Sequence, residues 1–232
     1  MIGFKHDDGW KTSSNDRIRV GKKEDFVYPV RINRGLHVKG KFVSHMTKST
    51  HPFHSFTEEA WLQLLEVTSN VRTFYSQPER FNVVSEDGCF SYTPDTLVEL
   101  VSGRRIYVEV KHENQVWSPN LIWKWPSIVR MIESQGDRFK LVTEKLVRHD
   151  QRHRNAIFLN LYRSAVIPQD AEMRVQMYLA DVGAASLPEF RRKFGGGADM
   201  DCLIYALTYR RVLRVDLDRP FTSQTLFSRN TY

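Results

Sequence analysis

A chain of 232 residues, 41% hydrophobic and 12% aromatic, is long enough for one large or two small folded units with a real core. Lys and Arg number 34 against 27 Asp and Glu, a formal net charge of +7, and no apolar run approaches a membrane span. The opening MIGFKHDDGWK is not a signal peptide, and Cys89 and Cys202 offer neither metal-ligand spacing nor a disulfide framework, so a reducing cytoplasm is the expected compartment.

Charge is unevenly distributed along the chain. Residues 1–50 carry eleven Lys and Arg against five Asp and Glu, residues 51–150 eleven against fourteen, and residues 151–232 twelve against eight. An acidic middle between basic flanks suits phosphate contact at the flanks, although a basic balance alone does not establish nucleic-acid binding. No hydrophobic period precedes Ser55, so residues 1–50 read as a basic N-terminal arm, either tracking a DNA backbone or a partner or draped over the surface. Lys39 and Lys41 are its candidate DNA contacts.

Ser55-Phe56-Thr57-Glu58 is a capping box, and Ala60, Trp61, Leu64 and Leu65 follow at helical spacing. Glu58 therefore has a sufficient structural role as the cap of its own helix. Further on, Thr96 to Val101 (TLVELV) and Ile106 to Lys111 (IYVEVK) are β-branched, apolar runs separated by Ser102, Gly103, Arg104 and Arg105, which predicts a hairpin. Strand alternation puts Tyr107, Glu109 and Lys111 on one face and Ile106, Val108 and Val110 on the other. Asp95, after Pro94 at the start of the first strand, completes a constellation of two carboxylates and a lysine. Hard divalent cations prefer carboxylate oxygens, a bound cation acidifies water, and the lysine adds positive charge beside a scissile phosphate. The pattern thus predicts metal-dependent phosphodiester cleavage, with Asp95 and Glu109 on Mg²⁺ (Mn²⁺ as substitute). The competing reading is the solvated edge of an ordinary hairpin. Arg104 and Arg105 in the turn are candidate DNA contacts.

Trp117, Trp123 and Trp125 cluster after this hairpin and are expected in the core. Residues 119–133 read as a helix ended by Gly136, and Phe139 to Thr143 as a strand. No histidine pair has the partners of a zinc set, although His112 follows Lys111 closely enough to approach a phosphate. Beyond residue 168, a helix over 170–181, a capping box at Ser186 and Glu189, a break at Gly195 to Gly197, a helix over 199–211 and a strand over 212–217 predict a winged helix. Arg191, Arg192, Lys193, Arg210 and Arg211 would let it grip DNA, while protein docking is the alternative.

The ordered series S-x-x-E at 55–58, LLE at 64–66, Gln77-Pro78, TPD at 93–95 and ExK at 109–111 resembles the TnsA family, the endonuclease subunit of heteromeric transposases. The resemblance runs from about Gly40 to the C-terminus. It implies an α/β, restriction-endonuclease-like mixed sheet flanked by helices over residues 51–166, the PD-(D/E)xK nuclease domain, and a small C-terminal winged-helix domain over 167–232. It adds Glu58 to Asp95, Glu109 and Lys111 as a catalytic residue and third metal ligand, with Glu59 as the fallback. It also implies double-stranded DNA at transposon ends as substrate, a DDE transposase partner that cuts the 3′ ends while this chain cuts the 5′ ends, and an AAA+ regulator ATPase. The family's best-known pattern carries glutamine where this chain has Glu109. The rival expectations are a stand-alone restriction or repair nuclease and a noncatalytic DNA-binding adaptor.

Overall fold

The structure is a computed structural model that describes residues 38–85, 88–148 and 151–231. In chain order it begins with an antiparallel hairpin, β1 (Gly40–Val43) and β2 (Thr50–Phe53), and the helix α1 (Phe56–Val67). The strands β3 (Val71–Ser76), β4 (Phe81–Ser85), β5 (Gly88–Tyr92), β6 (Thr96–Leu100) and β7 (Arg105–Lys111) follow. After them come α2 (Glu113–Val116), α3 (Pro119–Ile122), α4 (Trp125–Ser134), β8 (Arg138–Thr143), α5 (Glu144–Arg148) and α6 (Gln151–Asn160). The C-terminal part comprises α7 (Gln169–Val182), β9 (Ala184–Ser186), α8 (Leu187–Phe194), α9 (Gly197–Tyr209), β10 (Leu213–Arg214) and β11 (Leu226–Arg229). No helix among the described residues is long and apolar enough to cross a membrane.

The central sheet has the order β3-β6-β7-β8, antiparallel except for the parallel β7–β8 pair. That mixed sheet flanked by helices fits a restriction-endonuclease-like fold. Its parallel pair is connected by α2 to α4, the crossover that parallel strands require. The β6–β7 hairpin forms as its sequence predicts: Gly103 takes φ +82 in the turn, and Leu100 N–H donates to the Arg104 carbonyl at 2.9 Å. Ile106, Val108 and Val110 pack with Trp61, Leu64 and Leu65 of α1 in one core, while Tyr107 joins Phe81, Leu97, Trp125 and Ile128 in another on the opposite face. Buried on both faces, β7 is one of the sheet's two interior strands, so an exposed edge is excluded for Glu109.

The β1–β2 hairpin crosses residue 50, the expected limit of the N-terminal arm, and residues 1–37 of that arm lie outside the described residues. Phe42 and Phe53 anchor the hairpin in the α1 core. A Cβ at Gly40 would overlap the Phe53 ring, so only glycine fits this close approach. The predicted 119–133 helix is two helices, broken at Trp123 and Lys124 because Pro126 sits in the first turn of α4 and restricts the backbone before it.

The expectation that all three tryptophans are core is corrected. Trp125 is buried and its Nε1–H donates to the Val116 carbonyl at 2.9 Å, but Trp117 is 69% exposed and Trp123 38%. Trp117 sits at the end of α2 and Trp123 at the end of α3, outside the helical turns that face the core.

In the C-terminal part, α7, α8 and α9 pack on an antiparallel sheet of order β10-β11-β9 around Val175, Leu179, Phe190, Ile204 and Phe227. The Ser186–Glu189 capping box is present, with Ser186 N–H donating to Glu189 Oε2 at 2.7 Å. The predicted 212–217 strand shortens to two residues. Tyr209 and Leu217 reach back into the α1 core, and the Asn155 amide donates to the Leu217 and Arg219 carbonyls at 2.9 and 2.7 Å.

Candidate active site

Register brings Asp95 to Glu109. Thr96 faces Val108 across β6–β7, so the residue before Thr96 stands opposite the residue after Val108 and on the same face. Gln77 N–H fixes the chain there by donating to the Asp95 carbonyl at 3.0 Å. Asp95 Oδ2 accepts from Val110 N–H at 2.8 Å and lies 3.5 Å from Lys111 Nζ. Lys111 Nζ is 2.6 Å from Glu109 Oε1, and the Tyr92 hydroxyl donates to Glu109 Oε2 at 2.8 Å. One ammonium therefore bridges two carboxylates that would otherwise repel.

Glu58 caps its own helix and also stands beside the carboxylate cluster. As a cap, it accepts from His54 N–H at 2.8 Å and Ser55 Oγ–H at 3.0 Å, while its own N–H donates to Ser55 Oγ at 3.1 Å. Its carboxyl also stands in the field of Asp95 and Lys111. Burial first, then the Asp95 charge, pushes it up to about 7 against the pull of those hydrogen bonds. Glu109 is pushed up to about 7 for the same two reasons, with Lys111 and Tyr92 opposing. Burial raises Asp95 as well, and Lys111 and the Val110 N–H restrain the rise. Burial disfavours the charged form of Lys111, but Asp95 and Glu109 outweigh it and hold its ammonium above the ordinary lysine range. Burial and mutual repulsion leave these carboxyls reluctant to ionise, and Lys111 is the positive charge that partly offsets them.

Two further side chains border the cluster. Gln77 Nε2 lies 3.0 Å from His54 Nδ1, and Gln77 itself adopts φ +49, a conformation uncommon for any residue but glycine. His54 is lowered by burial and by Lys39, with Asp95 acting the other way. The only sequence signal for this pair was Gln77-Pro78; Tyr92 had none, since the strand carrying it was not predicted.

Lys39 accordingly lies within electrostatic reach of the site, and Lys41 is exposed on β1. The structure does not bring Arg104 and Arg105 to the carboxylates. They occupy the other end of the hairpin, with Arg105 about 13 Å along β7 from Glu109 at strand rise. Arg105 is tied down there, 3.6 Å from Asp137 Oδ2 and 3.8 Å from Glu79 Oε1, and donates to the Tyr107 hydroxyl at 2.8 Å. His112 caps α2 and contacts Glu144 at 3.2 Å. Glu66 of the LLE string is buried and accepts from Ser44 Oγ–H at 2.6 Å, His45 N–H at 2.8 Å and Met46 N–H at 2.9 Å, a purely architectural arrangement.

Among the described residues, no three His, Cys, Asp or Glu side chains are close enough to form a metal cage by themselves. The donors available to a cation are the carboxylate oxygens of Asp95 and Glu109, with Glu58 alongside, an oxygen-only set of the kind that hard cations take.

A mixed sheet whose interior hairpin gathers Asp95, Glu109 and Lys111 fits the restriction-endonuclease-like fold. Residues 68–144 match the family described as TnsA-like endonuclease N terminal, and this match supports assignment to the TnsA family. The matched stretch holds β3 to β8 with Asp95, Glu109 and Lys111; Glu58 precedes it. No curated protein matches the chain.

Proposed function

We propose that the protein is a Mg²⁺-dependent DNA endonuclease subunit of a transposase, cleaving at the 5′ ends of a mobile element while a DDE transposase partner cuts the 3′ ends. The observation that carries this reading is the convergence of Asp95, Glu109 and Lys111 at the end of the β6–β7 hairpin inside a TnsA-like domain.

Asp95 and Glu109 would hold the cation, with Glu58 alongside as the third carboxylate and water filling the remaining positions. Their oxygen-only character and shared excess of negative charge fit a hard dication better than a softer metal. When bound, it would acidify a water and offset charge on the phosphoryl oxygens. The chain's own residues supply the rest. Lys111, held charged between Asp95 and Glu109, orients the attacking water and stabilises charge on the phosphate. Tyr92 and the Val110 N–H hold Glu109 and Asp95 in place. Lys39, near His54, is the basic group best located to meet the backbone beside the cut.

The C-terminal order of helix, strand, two helices and two strands is the reason to read this part as a winged helix. Arg191 is bonded to Asp201 at 2.8 Å, Arg210 to the Ala165 carbonyl at 2.6 Å, and Arg211 to the Thr68 and Val71 carbonyls. Three of the five basic groups expected to grip DNA are thus committed internally, which favours a protein-docking role, with an AAA+ regulator ATPase as the proposed partner.

The test is a plasmid carrying element ends, incubated with Mg²⁺ in the presence and absence of the transposase partner. Wild type should cut the 5′ ends only with the partner. Asp95→Ala should lose cleavage while keeping fold and partner binding; cleavage by that variant overturns the assignment, and partner-free cutting by wild type indicates a stand-alone nuclease.

A further inference from the structure

Two side chains beside the carboxylate cluster take no part in the chemistry assigned so far. Gln77 N–H donates to the Asp95 carbonyl at 3.0 Å, and His54 N–H donates to Glu58 Oε2 at 2.8 Å. The side chains of the same two residues meet, with Gln77 Nε2 3.0 Å from His54 Nδ1. One contact therefore joins the backbone supports of Asp95 and Glu58. Asp95, Lys111 and Lys39 are the charges that act on the His54 ring, which places it beside the cluster, and His54 is half-buried, so part of it is open to a substrate.

The direction of that contact fixes the state of the imidazole. An amide nitrogen can only donate, so His54 Nδ1 accepts and carries no proton. The ring is then neutral, with its single N–H at Nε2, on the side of the ring away from Gln77. Gln77 holds this arrangement against local preference. Its φ of +49 lies in the left-handed region, whereas Pro78 after it favours an extended conformation. Glycine would serve such a turn without strain. What glutamine adds there is the amide bonded to His54, and strain of this kind persists where the surroundings enforce it, commonly at functional sites.

We propose that His54 is a further catalytic residue, donating a hydrogen bond from Nε2–H to an oxygen of the scissile phosphate, and that Gln77 is the positioning residue that holds the ring in the tautomer able to do so. The inference rests on the nuclease reading and deepens it. Lys111 brings a full charge to the phosphate, while His54 brings a neutral, directional donor that keeps its proton throughout.

The test pairs the plasmid cleavage assay, run with Mg²⁺ and the transposase partner, with nitrogen-15 NMR of the full-length protein without metal. His54→Ala should slow cleavage about a hundredfold, the scale of losing one donor to a developing charge, while DNA binding and Tm stay nearly unchanged. His54→Gln, whose amide can set an N–H where Nε2 stood, should recover part of the rate. Gln77→Gly should slow cleavage about tenfold through lost orientation of the ring. It should nevertheless be no less stable than wild type, because it keeps the backbone bond to Asp95 and relieves the strain. A purely structural Gln77 would give the reverse, lost stability with cleavage retained, and that result overturns its positioning role. NMR should find His54 as the Nε2–H tautomer in wild type and a mixture of tautomers in Gln77→Gly. An Nδ1–H tautomer in wild type overturns the proposal, as does a loss of rate in His54→Ala matched by a loss of Tm. Wild type that fails to cut brings down the nuclease reading and this inference with it, whereas wild type and His54→Ala cutting alike brings down the inference alone.

Discussion

Lys111 offsets only one of the charges that Asp95 and Glu109 would carry, and the remainder falls on the glutamates. Glu58 and Glu109, ordinarily near 4.5, titrate near 7 here, so below that pH they retain protons that a cation must displace. Mn²⁺ binding should therefore strengthen steeply from pH 6 to pH 8, by about tenfold per unit for each proton released while the groups remain protonated. Calorimetry at the two pH values checks this, and a pH-independent affinity would contradict it. The linkage sign for stability runs opposite to that of an ordinary ion-paired carboxylate. With folded pKa values above the unfolded ones, the folded state holds extra protons between about 4.5 and 7. Through these two groups, the metal-free protein loses stability as pH rises across that window. Thermal unfolding without metal should show a lower Tm at pH 8 than at pH 6 from this source, and Glu109→Gln should reduce the difference. Much of this centre was legible from residue types: a proline-fixed aspartate and a strand-borne ExK carry their chemistry in the string. Tyr92 and His54 were not legible, because their proximity depends on pairings between segments with no signal of their own.

Among the elements, the β6–β7 hairpin was readable because both runs are β-branched and a glycine turn separates them. The β1–β2 hairpin was not, since THPF contains a proline and its partner GKFV is only four residues long. What fixes that hairpin is tertiary: the Phe53 ring over Gly40, and Glu66 of α1 reaching up to the turn. Gly40→Ala should destabilise the protein by about 1–3 kcal/mol, the usual cost of overpacking a filled site. Glu66→Ala should cost more, roughly 3 kcal/mol, because it strands the Ser44 hydroxyl and two backbone N–H groups near the core. Urea unfolding of both variants checks the ranking; a harmless Glu66→Ala would show that those donors find water instead. The same tertiary dominance explains the tryptophans. Pattern alone expects three clustered aromatics to be buried, yet Trp117 and Trp123 fall at the ends of α2 and α3 and stay exposed, while Trp125 inside α4 is buried.

Across the whole molecule, the C-terminal helices and the nuclease core are not separated by a simple linker. Leu217 and Tyr209 belong to the same core as α1, and the Leu217-Asp218-Arg219 stretch is clasped by α6. Arg152 pairs with Asp218 through two bonds of 2.8 Å, but that pair is partly exposed and contributes little. The stronger tie is the Asn155 amide, buried, donating to the Leu217 and Arg219 carbonyls while its oxygen accepts from Gln151 at 3.1 Å. If this clasp couples the two parts, wild-type protein unfolds in one calorimetric transition, and Asn155→Ala lowers its midpoint by the equivalent of about 2–3 kcal/mol, since two carbonyls lose their donor. Asn155→Asp should be at least as damaging, because it sets a buried carboxylate against those same carbonyls. Arg152→Ala should have a much smaller effect. Two resolved transitions in wild type, with Asn155→Ala shifting only one, would mean that the C-terminal part folds independently and that its contacts with α6 report placement rather than stability.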